Sequence, residues 1–180
     1  IAYRKENKID ESNKNFTKAF EGNPNNYVAT LFGKQENQKV TFKLPDFEGA
    51  ENLIIDKLKE ELPKNLHYHN IDHTLDVVQA AVEIAEQEKV SKEDILLLRI
   101  AALLHDSGFI LSLKNHEENG CVIARDVLTG FGFDMPQIDL ICGMIMATKV
   151  PQAPHTMLEK IICDADLDYL GRDDFYAVGS

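Results

Sequence analysis

Apolar residues recur with the period of an α-helix along most of the chain, beginning near residue 49. The first such segment carries Leu53, Ile54, Leu58 and Leu62, a spacing that places these side chains along a helix. Pro63 follows, and a proline cannot continue a helix because it lacks the backbone N–H. The pattern therefore predicts a first amphipathic helix that stops at Pro63.

The next two segments predict one helix at the edge of a core and one inside it. In the second helix we expect the buried face to consist of Ile71, Leu75, Val78, Val82 and Ala85. The third segment, residues 95–106, is apolar on nearly every side. A helix of that kind is normally surrounded by other elements, so we expect it at the centre of the domain.

Helix signals continue toward the end of the chain. A fourth helix is predicted over residues 115–128, with Gly130 as its C-terminal signal. A fifth begins after Asp134, and a sixth begins at the capping box formed by Thr156 and Glu159. The sequence thus predicts an all-α fold, a bundle of six or more helices.

The amino-terminal quarter has a different character, being rich in Asn, Lys and Glu. Residues 27–32 and 39–44 have the β-branched and aromatic content of strands and predict a loose β-hairpin. A linker, or the tail of an upstream domain, is the alternative. We therefore divide the chain into an extension, residues 1–48, and a helical domain, residues 49–180, whose seventh helix is expected to be cut short at its C-terminus.

Composition narrows the classes of partner. The chain has 180 residues, with 19 basic and 30 acidic side chains and a formal charge of −11. This acidity disfavours nucleic-acid polymers and anionic membrane surfaces, which both attract basic proteins. No apolar run approaches the roughly 18 residues of a membrane-spanning helix. Three cysteines without a CxxC motif favour a reducing, cytoplasmic location.

Histidines and aspartates mark three positions on the predicted helices. His105 and Asp106 end the central helix, where a charged carboxylate is costly unless a cation or a donor compensates it. His69 and His73 are four residues apart at the start of the second helix, and Asp166 should face inward on the sixth. Each feature has an ordinary alternative: a solvated helix cap, a pair of surface histidines, or an aspartate bonded to backbone or arginine.

Taken in order, these residues resemble the HD superfamily of metal-dependent phosphohydrolases. The segments that carry the resemblance are YHNIDHTLDVV, AALLHDSGF, HEENGCVIARDVL, MIMATK and IICDADLDYLGRDDF, within residues 66–175. The YHNxxH segment is similar to that of cyclic nucleotide phosphodiesterases. The resemblance implies an HD-domain helical bundle, a divalent cofactor and hydrolysis of a phosphoester.

The resemblance also implies roles for individual residues. His73, His105, Asp106 and Asp166 match the metal-ligand positions, with Asp164 as the fallback for Asp166. One or two divalent ions would bind there, from among Mn, Fe, Zn, Co and Mg. Asp106 is thereby assigned to catalysis as well as to metal binding.

Three further residues are expected to act on the substrate. His69 matches the general acid of the phosphodiesterases. His116 matches a position that binds a second metal or a phosphate, and Lys149 is a candidate for holding a phosphate oxygen, with a solvated lysine as the alternative. We expect a small phosphorylated substrate, a nucleotide or a related molecule. A non-catalytic sensory module that binds metal and nucleotide is the alternative function.

Overall fold

The computed structural model describes residues 44–66 and 68–171, and within these ranges the fold is all-α, as predicted. Six α-helices follow one another in chain order: α1 Phe47–Glu61, α2 Ile71–Gln87, α3 Lys92–Leu104, α4 His116–Gly130, α5 Met135–Ala147 and α6 Met157–Asp166. Short 3₁₀ turns, Ser107–Ile110 and Asp168–Gly171, follow α3 and α6. The predicted hairpin and seventh helix lie outside the described residues.

Helix α3 is the centre of the bundle, in agreement with its sequence. It packs against each of the other five helices. Leu98, Ile100 and Leu104 are fully buried, and burial of each such side chain contributes about 1.5–3 kcal/mol to folding. Arg99, the one lysine or arginine among residues 95–106, makes two hydrogen bonds with Glu51 of α1, of 2.7 and 2.8 Å. This bidentate pair compensates the charge of Arg99 on an otherwise apolar part of the helix.

The buried face of α2 differs from the prediction. Ala85 is buried as predicted, and Ile71 and Val78 are partly buried against the core. Leu75, however, is 41 % exposed, and Val77, Ala81 and His73 are buried although the prediction did not include them. Hydrophobicity alone favoured the larger aliphatic residues. The inner face instead carries small residues that allow close packing, and its first turn carries a polar residue that belongs to the site described below.

Capping residues set the ends of the later helices. The Thr156–Glu159 capping box at the start of α6 is present, and Asp134 forms a second one with Gln137 at the start of α5. The prediction for the end of α4 is wrong in detail. Gly130 is the last helical residue, and Gly132 takes the left-handed conformation, with φ of +82°. The chain therefore turns two residues later than expected.

The 3₁₀ turn after α3 lies directly against the first turns of α4. A Cβ atom added to Gly108 would lie 1.8 Å from the carbonyl oxygen of His116. A Cβ on Gly120 would lie 3.0 Å from the carbonyl oxygen of Leu104. These two glycines allow the end of α3 and the start of α4 to approach each other, which places His116 beside the end of the central helix. Among the described residues, no helix has the length and apolar character needed to cross a membrane.

Candidate metal centre

The start of α2 fixes the position of His73. Asn70 caps the helix, its side-chain oxygen accepting a hydrogen bond of 3.0 Å from the backbone N–H of His73. Thr74 adds a bond from its hydroxyl to the carbonyl oxygen of Asn70, at 3.2 Å. His73 thus occupies the first turn, and its side chain is directed into the bundle, where the residue is 6 % exposed.

The end of α3 supplies the next two side chains. His105 is 1 % exposed and Asp106 is 3 % exposed. Nδ1 of His105 lies 2.7 Å from the carbonyl oxygen of Ala102. Because a carbonyl oxygen can only accept, Nδ1 carries the hydrogen and donates a hydrogen bond to it. Nε2 of His105 is therefore left to face the other side chains of the site.

Asp166, the last residue of α6, completes the group. Nε2 of His73 lies 3.4 Å from its Oδ1, and Nε2 of His105 lies 3.6 Å from the same oxygen. The two histidine nitrogens lie 3.7 and 3.3 Å from Oδ2 of Asp106. We call these four residues, His73, His105, Asp106 and Asp166, the His–Asp cluster. It brings together three helices that are distant in sequence.

The His–Asp cluster fits a divalent cation. Its four N···O distances exceed the 2.7–3.2 Å of an ordinary N–H···O bond. Nε2 of His73, Nε2 of His105 and Oδ2 of Asp106 are buried and make no hydrogen bond within the described residues. Their separations match those of ligand atoms placed about 2.0–2.2 Å from one ion. Imidazole and carboxylate donors without thiolates suit Mn, Fe, Co or Zn.

Electrostatics in the cluster also favour a cation. Burial lowers the pKa of His105, but the carboxylates of Asp106 and Asp166 outweigh it and raise this pKa well above its usual range. Burial likewise raises the pKa of Asp166, and the imidazoles of His105 and His73 more than reverse that effect. The pKa of Asp106 is also lowered, mainly by His105 against the effect of burial. The carboxylates therefore remain ionised and require positive charge beside them.

The second oxygen of Asp106 faces a different histidine. Nε2 of His116 lies 3.6 Å from Oδ1 of Asp106 and 3.5 Å from Oε1 of Glu117. Glu117 is only 6 % exposed although it lies in the first turn of α4. The carboxylate of Asp106 thus faces His73 and His105 with one oxygen and His116 with the other. A ligand that bridges two metal ions would need this arrangement.

His69 precedes the N-cap of α2 and lies on the same side of the site as His116. The ring centroids of these two residues are 6.4 Å apart. Phe109 lies between them: it stacks on His116 with centroids 4.0 Å apart and planes 13° apart, and its centroid is 4.8 Å from that of His69. Burial lowers the pKa of His69, although the charge of Asp106 opposes this.

Sequence reasoning missed two aromatic residues of the site. Phe109 follows Asp106 by one turn, and this spacing is the sequence signal that could have placed it beside the site. Tyr68 directly precedes His69, and its ring centroid lies 4.4 Å from that of His73. Burial raises the pKa of the Tyr68 hydroxyl, so this group stays protonated beside the cluster.

Other predicted residues lie apart from the cluster. Lys149, whose side chain is 40 % exposed, forms an ion pair with Glu118 of α4. Asp164 is exposed, so between the two aspartates of α6 it is Asp166 that reaches the cluster. His155 is exposed, as expected from its position before a cap, and His67 lies outside the described residues.

Comparisons with known proteins agree with this geometry. The family model described as "HD domain" matches residues 70–167. A crystal structure described as a predicted HD superfamily hydrolase, from an uncultured Thermotogales bacterium, is 29 % identical, with 75 % of each chain covered and a TM-score of 0.61. No curated protein matches the chain. Because the family match spans more than half of the chain and includes the whole His–Asp cluster, this protein belongs to the HD domain family.

Proposed function

We propose that this protein is a metal-dependent phosphohydrolase that cleaves a phosphoester of a nucleotide or a related small molecule. The observation that carries the proposal is the His–Asp cluster, in which buried atoms of His73, His105 and Asp106 converge without hydrogen-bond partners of their own, beside Asp166 of α6. A structural role alone does not explain so many unsatisfied groups in one place, because each costs about 1–3 kcal/mol.

The roles of the residues follow from their positions. His73, His105, Asp106 and Asp166 would hold the ion. A divalent ion bound there would lower the pKa of a coordinated water and stabilise charge on phosphoryl oxygens. The hydrogen bond from Nδ1 of His105 to Ala102 orients that imidazole. Asp106, with one oxygen on each side, would connect the ion to the groups around His116.

His69 is the proposed general acid. Its lowered pKa leaves it largely neutral in the free protein near neutral pH. An anionic phosphoryl group bound beside it would raise that pKa, because a nearby negative charge favours the protonated imidazole. His69 would then be protonated when the substrate is in place and could give its proton to the leaving oxygen. The stacked ring of Phe109 limits the movement of His116 on the same side of the site.

Metal analysis combined with turnover tests the proposal. The full chain, purified without chelator, should contain at least one divalent ion per chain. It should hydrolyse one or more members of a panel of cyclic nucleotides, nucleoside monophosphates and nucleoside triphosphates when supplied with Mn²⁺, Fe²⁺, Co²⁺, Zn²⁺ or Mg²⁺. A folded, metal-loaded chain without turnover on any phosphoester would contradict the proposal.

The variant His69→Ala separates an enzyme from a sensory module. In an enzyme this change should retain the ion and lower kcat by about 10²–10⁴-fold, the usual contribution of a positioned acid. A module that only binds metal and nucleotide would show nucleotide binding without turnover in the unmodified chain. Substitution of the exposed His155 is the matched control and should leave turnover unchanged.

A further inference from the structure

Helices α4 and α5 carry a pair of thiols that the proposed function does not use. Cys121 of α4 is half-buried and Cys142 of α5 is 6 % exposed, and both are free. They meet where the two helices pack against each other. A glycine precedes Cys121, and a Cβ atom on this Gly120 would lie 3.3 Å from Cγ2 of Ile145. The small residue keeps the two helices close at this position.

The contacts between the two cysteines are reciprocal. The Sγ atom of Cys121 lies 3.6 Å from the carbonyl oxygen of Cys142. The Sγ atom of Cys142 lies 3.9 Å from the carbonyl oxygen of Cys121. Each side chain therefore reaches the backbone of the other residue, and the two thiols are close enough to interact with each other. A disulfide requires this kind of approach, with Cβ atoms about 3.5–4.5 Å apart.

The surroundings favour a thiolate at Cys142 and not at Cys121, whose pKa is raised by its hydrogen bond with Cys142 and by burial. Hydrogen bonding from Cys121 lowers the pKa of Cys142, and the guanidinium of Arg125 acts in the same direction, against the effects of burial and of Asp139. Arg125 lies one turn after Cys121 and donates a hydrogen bond of 2.8 Å to Asp139. The thiolate is the form of cysteine that reacts with peroxides and disulfides, so acidification of one member makes the pair reactive.

We propose that Cys121 and Cys142 are a modification site at which a hydroperoxide forms an intramolecular disulfide between α4 and α5. The first thiolate attacks a peroxide oxygen, which breaks the O–O bond and gives a sulfenic acid. The hydroxide or alkoxide that leaves takes up a proton from solvent and becomes water or an alcohol. The second thiol then attacks the sulfenic sulfur, and the S–S bond forms as the sulfenic hydroxyl leaves with the thiol proton as water. Two thiols are oxidised and one peroxide is reduced. A thiol reductant reverses the change.

The third cysteine provides an internal control. Cys163 of α6 is 2 % exposed, and its Sγ donates to the carbonyl oxygen of Ala147 at 3.1 Å. Burial raises its pKa to about 11, so this thiol is protonated at neutral pH. We therefore expect Cys163 to stay reduced at the peroxide concentrations that oxidise Cys121 and Cys142.

The test is peptide mapping of the full chain after exposure to hydrogen peroxide. Remaining thiols are alkylated, and the digest is analysed by mass spectrometry without reductant. We expect a cross-linked peptide joining Cys121 to Cys142, lighter than the reduced pair by two hydrogen atoms, while Cys163 is alkylated. Dithiothreitol should restore alkylation of all three thiols. The oxidised chain should also unfold at a higher temperature, because the bond restricts the unfolded state.

Serine variants of the three cysteines test which thiols form the cross-link. Cys163→Ser should form the cross-link as the unmodified chain does, whereas Cys121→Ser and Cys142→Ser should not form it. The map of the unmodified chain decides the matter even if one of these variants fails to fold. Cross-links that involve Cys163, cross-links only between chains, sulfinic acid without a cross-link, or three thiols that stay alkylatable would each overturn the proposal. None of these readouts depends on metal or on turnover.

Discussion

Oδ1 of Asp106 faces Nε2 of His116 at 3.6 Å, while Oδ2 of the same carboxylate faces the imidazoles of His73 and His105. One aspartate therefore joins the buried His–Asp cluster to a more open group on α4, whose His116 side chain is 24 % exposed. If the proposed function holds, the buried cluster would be a closed position for a cation, and the group around His116 would be a more open one.

The first prediction concerns His116. We expect His116→Ala to keep one ion per chain, because every donor of the His–Asp cluster is intact. Any second ion should be lost, and turnover should fall by about 10–100-fold, the effect of removing a supporting group at a metal site. Elemental analysis after gel filtration gives the stoichiometry. Loss of all metal from this variant would show that the closed position does not bind on its own.

The second prediction uses the two aspartates of α6. Asp166→Asn should weaken metal binding by about 100-fold or more, since it removes a charged donor from the cluster. Asp164→Asn is the matched control, since Asp164 lies on the same helix and is exposed. It should leave both metal content and turnover unchanged. Equal losses in the two variants would mean that the donor on α6 has been assigned incorrectly.

The third prediction concerns the contact between the 3₁₀ turn and α4. Gly108→Ala introduces a Cβ atom 1.8 Å from the carbonyl oxygen of His116, so α4 must shift. We expect a loss of about 1–3 kcal/mol in the free energy of unfolding, typical of an overpacked core, together with reduced turnover. Gly130→Ala meets no atom within 4 Å and should be neutral or stabilising by up to about 1 kcal/mol. Urea denaturation measures both.

The fourth prediction is a pH dependence. In the metal-free chain the folded pKa of His105 is raised, so its contribution to stability is complete below the unfolded value of about 6.5 and is lost as pH rises through the folded pKa. The lowered pKa of Asp106 acts in the other direction, and its contribution is lost as pH falls below about 3.9 toward the folded value. The Tm of the chelated chain should therefore fall between pH 6.5 and pH 9.

Added metal should change this dependence, because the ion and the proton compete for Nε2 of His105. The difference in Tm between metal-loaded and chelated chains should grow as pH rises from about 6 to about 8. Substitution of the exposed His155 should leave that difference unaltered. A difference that is constant across this range would indicate that His105 is not a ligand.

The comparison of sequence and structure shows which features local patterns can predict. The Thr156–Glu159 capping box, the central position of α3 and the inward direction of Asp166 depend on spacing along one helix, and all are confirmed. The stacking of Phe109 on His116 depends on how closely α4 approaches the turn after α3. Packing between elements decides such contacts, and hydrophobic periodicity carries no information about it.

Lys149 illustrates the same limit in another way. Its position after a helix end made it a candidate for binding phosphate, which stays a prediction, and in the folded chain its ammonium pairs with Glu118. Residues of opposite charge on neighbouring helices find each other only in the folded chain. The sequence alone could not show which partner this lysine would take.

The His–Asp cluster is complete only when α2, α3 and α6 have packed together, so metal binding at this site indicates complete folding. Its donors come from the start of α2, the end of α3 and the end of α6, so nearly the whole helical region lies between the first and the last of them. Contacts between positions so far apart in sequence form late, after the intervening chain has been ordered. A partly folded chain, or a fragment without α2 or α6, would lack a complete set of donors. Metal uptake during refolding should therefore follow burial of α3 rather than precede it.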